Sequence, residues 1–343
     1  MRARIPILAL LALLLVAGCG PRGGRVPPTV AEPSLPAVLP APPDTVTVRI
    51  IGDVMMHQGQ IDIARGRAGA SAGTFNYTPF LDSIAPDLRA ADLAIAGMEF
   101  TLAGEPYTGY PAFSAPDSYA DYIADCGIDV FLCANNHILD RKLPGLKRTL
   151  RVLDTLEAHG RIRYTGIAAL GDTARNPLLL RVKDQAIAII NFTYGTNVYP
   201  ELDHYKILFQ RSDEILPLFA RARELGADFV IACPHWGEEY VLTHNALQEE
   251  WAQQMAAAGA DAIIGAHPHV VQDTANITAP DGRIVPVYYS IGNAVSNMSA
   301  PHTQDELMVT LRISDGKLVD ITHAPLHCYL PGQLTPSYTT VKK

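Results

Sequence analysis

The stretch AIIGAHPHVVQ, residues 262–272, decides how this chain is to be read. Ala262 to Ile264 is a short apolar run, too brief for a helix, and it follows a helix-like segment over Ala246–Ala258. The strand it predicts ends at His267, in a turn where Pro268 separates His267 from His269. Two imidazoles buried without partners are costly, so either other segments supply further ligands or the turn is an ordinary polar one.

Other segments repeat the pattern. Val46–Ile51 predicts a strand followed by Gly52-Asp53, and the apolar run Leu93–Met98 ends at Glu99. Val130–Cys133 leads into Ala134-Asn135-Asn136-His137, and Phe229–Ala232 leads into Pro234-His235-Trp236. In sheets joined by crossover helices, ligands bind beyond the carboxyl ends of the strands. Polar groups scattered in sequence can therefore converge on one crevice.

The intervening segments read as helices over Thr78–Ala90, Ser118–Cys126, Pro144–His159 and Asp213–Leu225. In the third, Leu146, Leu150, Leu153 and Leu156 recur at helical spacing. Leu178–Val182 and Ala186–Phe192 predict paired strands around Lys183-Asp184-Gln185. Further strands are expected at Pro286–Ser290, Leu307–Ile313 and Leu318–Thr322, the last two joined by an Asp315-Gly316 hairpin turn. Helices and strands so mixed predict α/β (α+β) layering in one domain over residues 45–330, followed by a tail at 331–343.

The chain has 343 residues, 48% hydrophobic and 18% charged, as expected of a well-cored globular protein. A net charge of −8 and the absence of a basic block in the body argue against a nucleic-acid partner. An anionic small substrate stays open, because a bound metal reverses the local field.

At the N-terminus, Arg2 and Arg4 precede an apolar run over Ile5–Val16, and Val16-Ala17-Gly18-Cys19 reads as a lipoprotein cleavage site with Cys19 lipidated. Residues 20–44 carry eight prolines and predict an extended tether. The expected product is an exported lipoprotein, held by its lipid at a membrane of the cell envelope, on the periplasmic face or the cell surface. The remaining cysteines, Cys126, Cys133, Cys233 and Cys328, form no CxxC pair and read as structural.

Taken singly, each polar strand end has an ordinary reading as a turn, a solvated terminus or a packed imidazole. Together, Asp53, Glu99, Asn136, His137, His235, His267 and His269 make a coincidence better explained by divalent metal, with mixed ligands suiting Zn, Mn or Fe.

Five segments carry a family resemblance: Gly52-Asp53-Val54-Met55, Asn135-Asn136-His137-Ile138-Leu139-Asp140, His235-Trp236-Gly237-Glu238-Glu239-Tyr240, Gly265-Ala266-His267-Pro268-His269-Val270-Val271-Gln272 and Tyr289-Ser290-Ile291-Gly292-Asn293. In this order they resemble the calcineurin-like metallophosphoesterases, and more closely the bacterial capsule-synthesis CapA/PgsA family of poly-γ-glutamate biosynthesis proteins. That resemblance implies a four-layer αββα sandwich and two metal ions roughly 3.5–4 Å apart. It implies Asp53 and His269 at one metal, Asn136, His235 and His267 at the other, and Glu99 bridging. His137 is implied as general acid or oxyanion holder, oriented by Asp140. Glu238, Glu239 and Tyr240 would shape the rim, and Asn293 would close the site.

The chain departs from the pattern at Met55, where the superfamily carries a histidine, leaving His57 as the candidate substitute. Gly97-Met98-Glu99 stands where the family usually has Asn-Leu-Glu, and Ser114-Ala115-Pro116 lacks an expected arginine. Two functions follow as expectations. One is a metal-dependent hydrolase of a phosphoester or a γ-glutamyl amide. The other is a non-catalytic accessory factor binding an anionic polymer, in either case beside a capsule-synthesis membrane complex. No GxSxG elbow supports a serine hydrolase.

Overall fold

The computed structural model describes residues 44–343 except 68, 70–72 and 200. Of the signal and tether expected over residues 1–44, residues 1–43 lie outside the described residues. Residues Pro42–Lys343 form one compact unit.

The first half of this unit runs β1 (Val46–Val54), α1 (Gln58–Arg67), α2 (Ala85–Arg89), β2 (Leu93–Met98), α3 (Asp117–Asp125), β3 (Val130–Leu132), α4 (Lys142–Ala158) and β4 (Arg163–Thr165). Next come β5 (Ile167–Ala169), β6 (Leu178–Val182), β7 (Gln185–Thr193), β8 (Tyr205–Ile207), α5 (Ser212–Glu224), β9 (Phe229–His235), α6 (Ala246–Ala258) and β10 (Ala262–Ile264). The chain ends with β11 (Thr274–Thr278), β12 (Ile284–Tyr288), β13 (Asn293–Val295), β14 (Asp305–Ser314), β15 (Lys317–Tyr329) and β16 (Thr339–Lys342).

Two large sheets result. One has the order β16-β15-β14-β1-β2-β3-β4, with β13 also paired to β1, and the other has the order β11-β12-β10-β9-β7-β6. The two-residue alternation of a strand explains how they stack. On β2, Leu93 and Ile95 face an apolar layer shared with Ile187 and Ile189 of β7 and Ile231 of β9. Ala94, Ala96 and Met98 point the other way, among α1, α3 and the leucines of α4. The second sheet turns Ala188, Ile190, Val230 and Ile263 toward Ile215 and Phe219 of α5 and Trp251 and Met255 of α6. Three apolar layers separate four layers of structure, giving the expected αββα sandwich.

Several boundaries differ from expectation. Gly52 and Asp53 are inside β1, because pairing with both β2 and β13 carries the strand on to Val54. Only Ala85–Arg89 of the helix expected over Thr78–Ala90 forms, and turns occupy the segment before it. Helix α1 buries just Gln60, Ile61 and Ala64, too sparse a pattern to recognise. The expected tail supplies β16, hydrogen-bonded antiparallel to β15, so the domain continues past residue 330. Two turns form as the sequence predicts: β6 and β7 pair from Val182 and Gln185, and β14 and β15 from Ser314 and Lys317. Among the described residues, Cys126, Cys133, Cys233 and Cys328 are free and buried. Among the described residues, no helix is long and apolar enough to cross a membrane.

Candidate metal centre

The site begins with a fault in β1. Ile51 pairs with Ala96 and Asp53 with Gly97, so Gly52 is an extra residue that makes a bulge. Only glycine fits there: a Cβ on Gly52 would lie 1.9 Å from the Gly292 carbonyl oxygen. The Gly52 N–H leaves the ladder and donates to Glu306 Oε1 at 2.5 Å. The bulge aims Asp53 at the loop after β10, where Asp53 Oδ2 accepts from the His267 N–H at 3.1 Å.

The His267-Pro268-His269 turn is held in an unfavourable backbone. His267 has φ 99° and His269 φ 60°, in the left-handed region that costs of order 1–3 kcal/mol for a residue with a side chain. Three contacts hold it. They are the His267–Asp53 bond, the Tyr240 N–H donating to the Pro268 carbonyl at 2.8 Å, and His269 Nδ1 at 2.9 Å from Asn293 Oδ1. The strain turns both imidazoles inward.

Glu99 is the centre of the arrangement. It is fully buried at the end of β2, and neither carboxylate oxygen has a hydrogen-bond partner. Its Oε1 lies 3.7 Å from His235 Nε2 and 3.9 Å from His137 Nε2, and its Oε2 lies 3.7 Å from His269 Nδ1. These separations are too long for hydrogen bonds. They suit donors around a shared ion, since Zn–N and Zn–O bonds of about 2.0–2.2 Å leave ligand atoms roughly 3–4 Å apart. Glu99, His267 and His269 each offer a ligand atom within 4.8 Å of the others, and His267 Nδ1 has no partner either. A buried carboxylate without donors costs several kcal/mol unless a cation meets it, so the residues present fit a metal.

The remaining proposed ligands gather around Glu99. His235 Nε2 and Asn136 Oδ1, assigned by resemblance to one metal, are 2.8 Å apart. His235 Nδ1 is 3.8 Å from Asp53 Oδ1. Asn135 shapes the loop: its amide donates to the Met98 carbonyl at 2.7 Å, while its Oδ1 accepts from the His137 N–H at 3.0 Å. From the opposite sheet, Asn191 Oδ1 accepts from the Ala134 N–H at 2.7 Å, and its amide donates to the Cys233 carbonyl at 2.9 Å. That side chain ties the two sheets together beneath the site.

His137 is clamped on one side. Its Nδ1 is 2.8 Å from Asp140 Oδ2, an oxygen that also accepts from the Phe113 N–H at 2.9 Å. The Phe113 ring packs edge-on against the imidazole, with centroids 4.7 Å apart. With Nδ1–H committed to Asp140, Nε2 is the atom left toward Glu99 and an adjoining cavity of ≈390 Å³. Met55, His57, Glu239, Tyr240 and His269 also line that cavity.

His57 shares that cavity with His137 and His269, but other groups hold its ring. Its Nδ1 is 3.2 Å from Gln60 Oε1 and accepts from the Asn297 N–H at 3.3 Å, and among the described residues it makes no ion pair. Met55 is buried, and its carbonyl accepts from Gln60 Nε2 and the Tyr119 hydroxyl, each at 3.0 Å.

Burial sets the protonation of the metal-free site. Desolvation pushes the Asp53 carboxyl up to about 7, against the opposing His267 N–H bond. Glu99 is driven well above the carboxylate range by burial first and by Asp53 second. Burial pushes His235 and His267 well down, which keeps both imidazoles neutral and able to ligate.

Sequence reasoning missed two neighbours. Asn197 comes from the loop after β7, its N–H donating to the Asn136 carbonyl at 2.8 Å and its amide nitrogen 3.3 Å from His137 Nδ1. Glu306 is buried behind the bulge with Oε2 unpartnered. Asn197 stands beyond the residues that directly end β7, and Glu306 lies inside β14, so the strand-end rule could not find them. An acidic residue within an otherwise buried strand was the one available signal for Glu306.

Residues 47–298 match the family described as bacterial capsule synthesis protein PGA_cap. The capsule biosynthesis protein CapA of Bacillus anthracis is 25% identical over 295 residues, covering 83% of this chain and 68% of that protein. The PGA biosynthesis protein CapA of Bacillus subtilis (strain 168) is 26% identical over 278 residues, covering 78% and 67%. Among solved structures, the calcineurin-like phosphoesterase YfkN from Bacillus subtilis aligns over 82% of this chain and 90% of its own, at 14% identity and TM-score 0.46. Matched from β1 to the loop beyond β13, with every proposed ligand inside the match, the chain belongs to the bacterial capsule synthesis protein family PGA_cap.

Proposed function

We propose that this chain is a metal-dependent hydrolase of the cell envelope, acting in capsule or poly-γ-glutamate biosynthesis on a phosphoester or a γ-glutamyl amide. The observation that carries it is Glu99, a buried carboxylate with two unpartnered oxygens set among His137, His235 and His269. Asp53, Glu99, Asn136, His235, His267 and His269 would hold the metal, two ions of Mn, Zn or Fe by the family resemblance. Bound there, divalent ions supply Lewis acidity and the positive charge that the lining lacks.

The chain's own groups do the rest. Asp140 holds a proton on His137 Nδ1 and fixes the ring, so that Nε2 can carry a second proton for the leaving group or donate to a substrate oxyanion. Phe113 keeps water from the Asp140 side of that imidazole. The export signal and lipidated Cys19 read from the sequence would hold the enzyme at a membrane, within reach of a capsule-synthesis complex.

The test supplies Mn or Zn to purified protein lacking Cys19 and offers a generic phosphodiester and a γ-glutamyl polymer. Turnover that disappears in His137→Asn, with metal content retained, is the expected result. No turnover on either substrate from protein that elemental analysis finds metal-filled would sink the hydrolase reading. A second reading, a metal-containing accessory factor that binds an anionic polymer, is favoured by Met55 at the superfamily's histidine position. Full rescue of a deletion strain by His137→Asn would select it.

A further inference from the structure

Metal ligation does not explain the walls of the cavity beside His137. No lysine or arginine lines its ≈390 Å³, and Glu239 contributes a carboxylate. Three of the four exposed tyrosines among the described residues stand beside site histidines: Tyr110, Tyr194 and Tyr240. Tyr110 is 73% exposed, with its ring 6.3 Å from that of His137. Tyr240 lies 6.1 Å from His269, and Tyr194 lies 4.5 Å from His267. Tyr240 keeps its place at a backbone cost, with φ 68°, fixed by its N–H bond to the Pro268 carbonyl. Large rings held in water at the mouth of a reactive site call for a ligand that covers them.

Charge and shape limit that ligand. A polyanion extending away from the metal would meet Glu239 and find no lysine or arginine in the lining. A sugar ring suits what is present. Its C–H face lies on a tyrosine ring, and hydroxyls at its edge donate to Glu239 and exchange hydrogen bonds with the Asn197 amide, both in the lining.

We propose that this cavity and its tyrosine rim bind an uncharged sugar next to the reacting bond. The inference rests on the hydrolase reading and narrows it to a glycosyl phosphoester. In that reaction the oxygen of water forms a bond to phosphorus, and the P–O bond to the sugar hydroxyl breaks. The departing oxygen takes a proton from His137, which regains one from solvent to replace it, and the attacking water releases its proton to solvent.

The test titrates chitobiose, a γ-linked glutamate tetramer and adenosine into metal-free protein spanning Pro42–Lys343, the compact unit, by calorimetry and saturation-transfer NMR. Chitobiose is expected to bind at millimolar concentration. Tyr110→Ala and Tyr240→Ala should each weaken it by about two- to tenfold, the range that one ring contact is worth. Glu99→Gln, which removes a proposed metal ligand, should leave sugar binding unchanged in the same titration, which separates this inference from the metal site. Sugar binding without turnover of a sugar phosphodiester would leave the cavity assignment standing and count against the hydrolase. Binding of the glutamate tetramer or adenosine in place of chitobiose, or chitobiose binding indifferent to both tyrosines, would overturn the inference.

Discussion

Glu99 Oε2 stands 3.7 Å from His269 Nδ1 with no hydrogen bond to either oxygen of the carboxylate. A buried acid in that state destabilises the fold unless a cation joins it. Glu99→Gln should therefore have opposite effects on two measurements. Metal content by elemental analysis should fall, and the metal-free protein should gain about 1–3 kcal/mol, a rise of several degrees in Tm. A mutant that keeps its metal, or whose metal-free form is less stable than the wild type, contradicts the central placement of Glu99.

His137 and Asp140 act through a single proton at Nδ1. Replacing His137 with Asn should lower kcat by about 10²–10⁴ while metal content stays as in the wild type. Asp140→Asn should cost less, because the ring remains, and should move the pH profile of kcat. Equal losses of metal and activity in His137→Asn would instead make this histidine a ligand.

Acidity offers a check without substrate. The Asp53 carboxyl is raised by burial to about 7, above its value in the unfolded chain. Its contribution is thus fully favourable below pH about 4 and is lost as pH rises through about 7, since the unfolded chain gives up the proton first. Glu99 shifts in the same direction. Metal-free protein should melt at a lower temperature at pH 8 than at pH 5.5, and added Mn or Zn should remove the difference. Calorimetric scans with chelator and with metal decide it.

Met55 occupies the family's expected histidine position with its backbone already fixed, the N–H to the Val295 carbonyl and the carbonyl to Gln60 and Tyr119. Met55→His should add a ligand without moving the chain. Affinity for the weaker metal should rise by roughly tenfold, as ligand-shell changes typically do. Isothermal titration with Mn would read it, and an unchanged second binding step would place His57 or solvent in that role.

Gly52→Ala tests the bulge that presents Asp53. Its Cβ would meet the Gly292 carbonyl oxygen at 1.9 Å, so β1 and β13 must separate. A loss of more than about 3 kcal/mol is expected in denaturant unfolding. A neutral outcome would mean that the strand can shift without penalty.

The layering was legible because alternation is local. Leu93 and Ile95 against Ala94 and Ala96, and the leucine stripe of α4, encode which face is buried wherever the chain goes. The candidate ligands were legible for a related reason. Strand carboxyl ends are marked by a polar residue after an apolar run, as at Met98-Glu99 and Leu132 to Asn136. Helix α1 and β16 were not legible, since one buries few apolar residues and the other depends on pairing with β15.

By itself, then, the sequence determined the mixed α/β class, the alternating faces, and the short list of carboxylates, amides and imidazoles at the ends of strands. Each follows from residues close together along the chain. Only the tertiary structure decided that Glu99 has no donor, that a glycine bulge held by Glu306 presents Asp53, and that three exposed tyrosines stand beside the site histidines. It also decided that His57 turns to Gln60 and Asn297. These are contacts between residues up to 254 positions apart, as for Gly52 and Glu306, and only the packing of the two sheets brings such groups within a few ångströms.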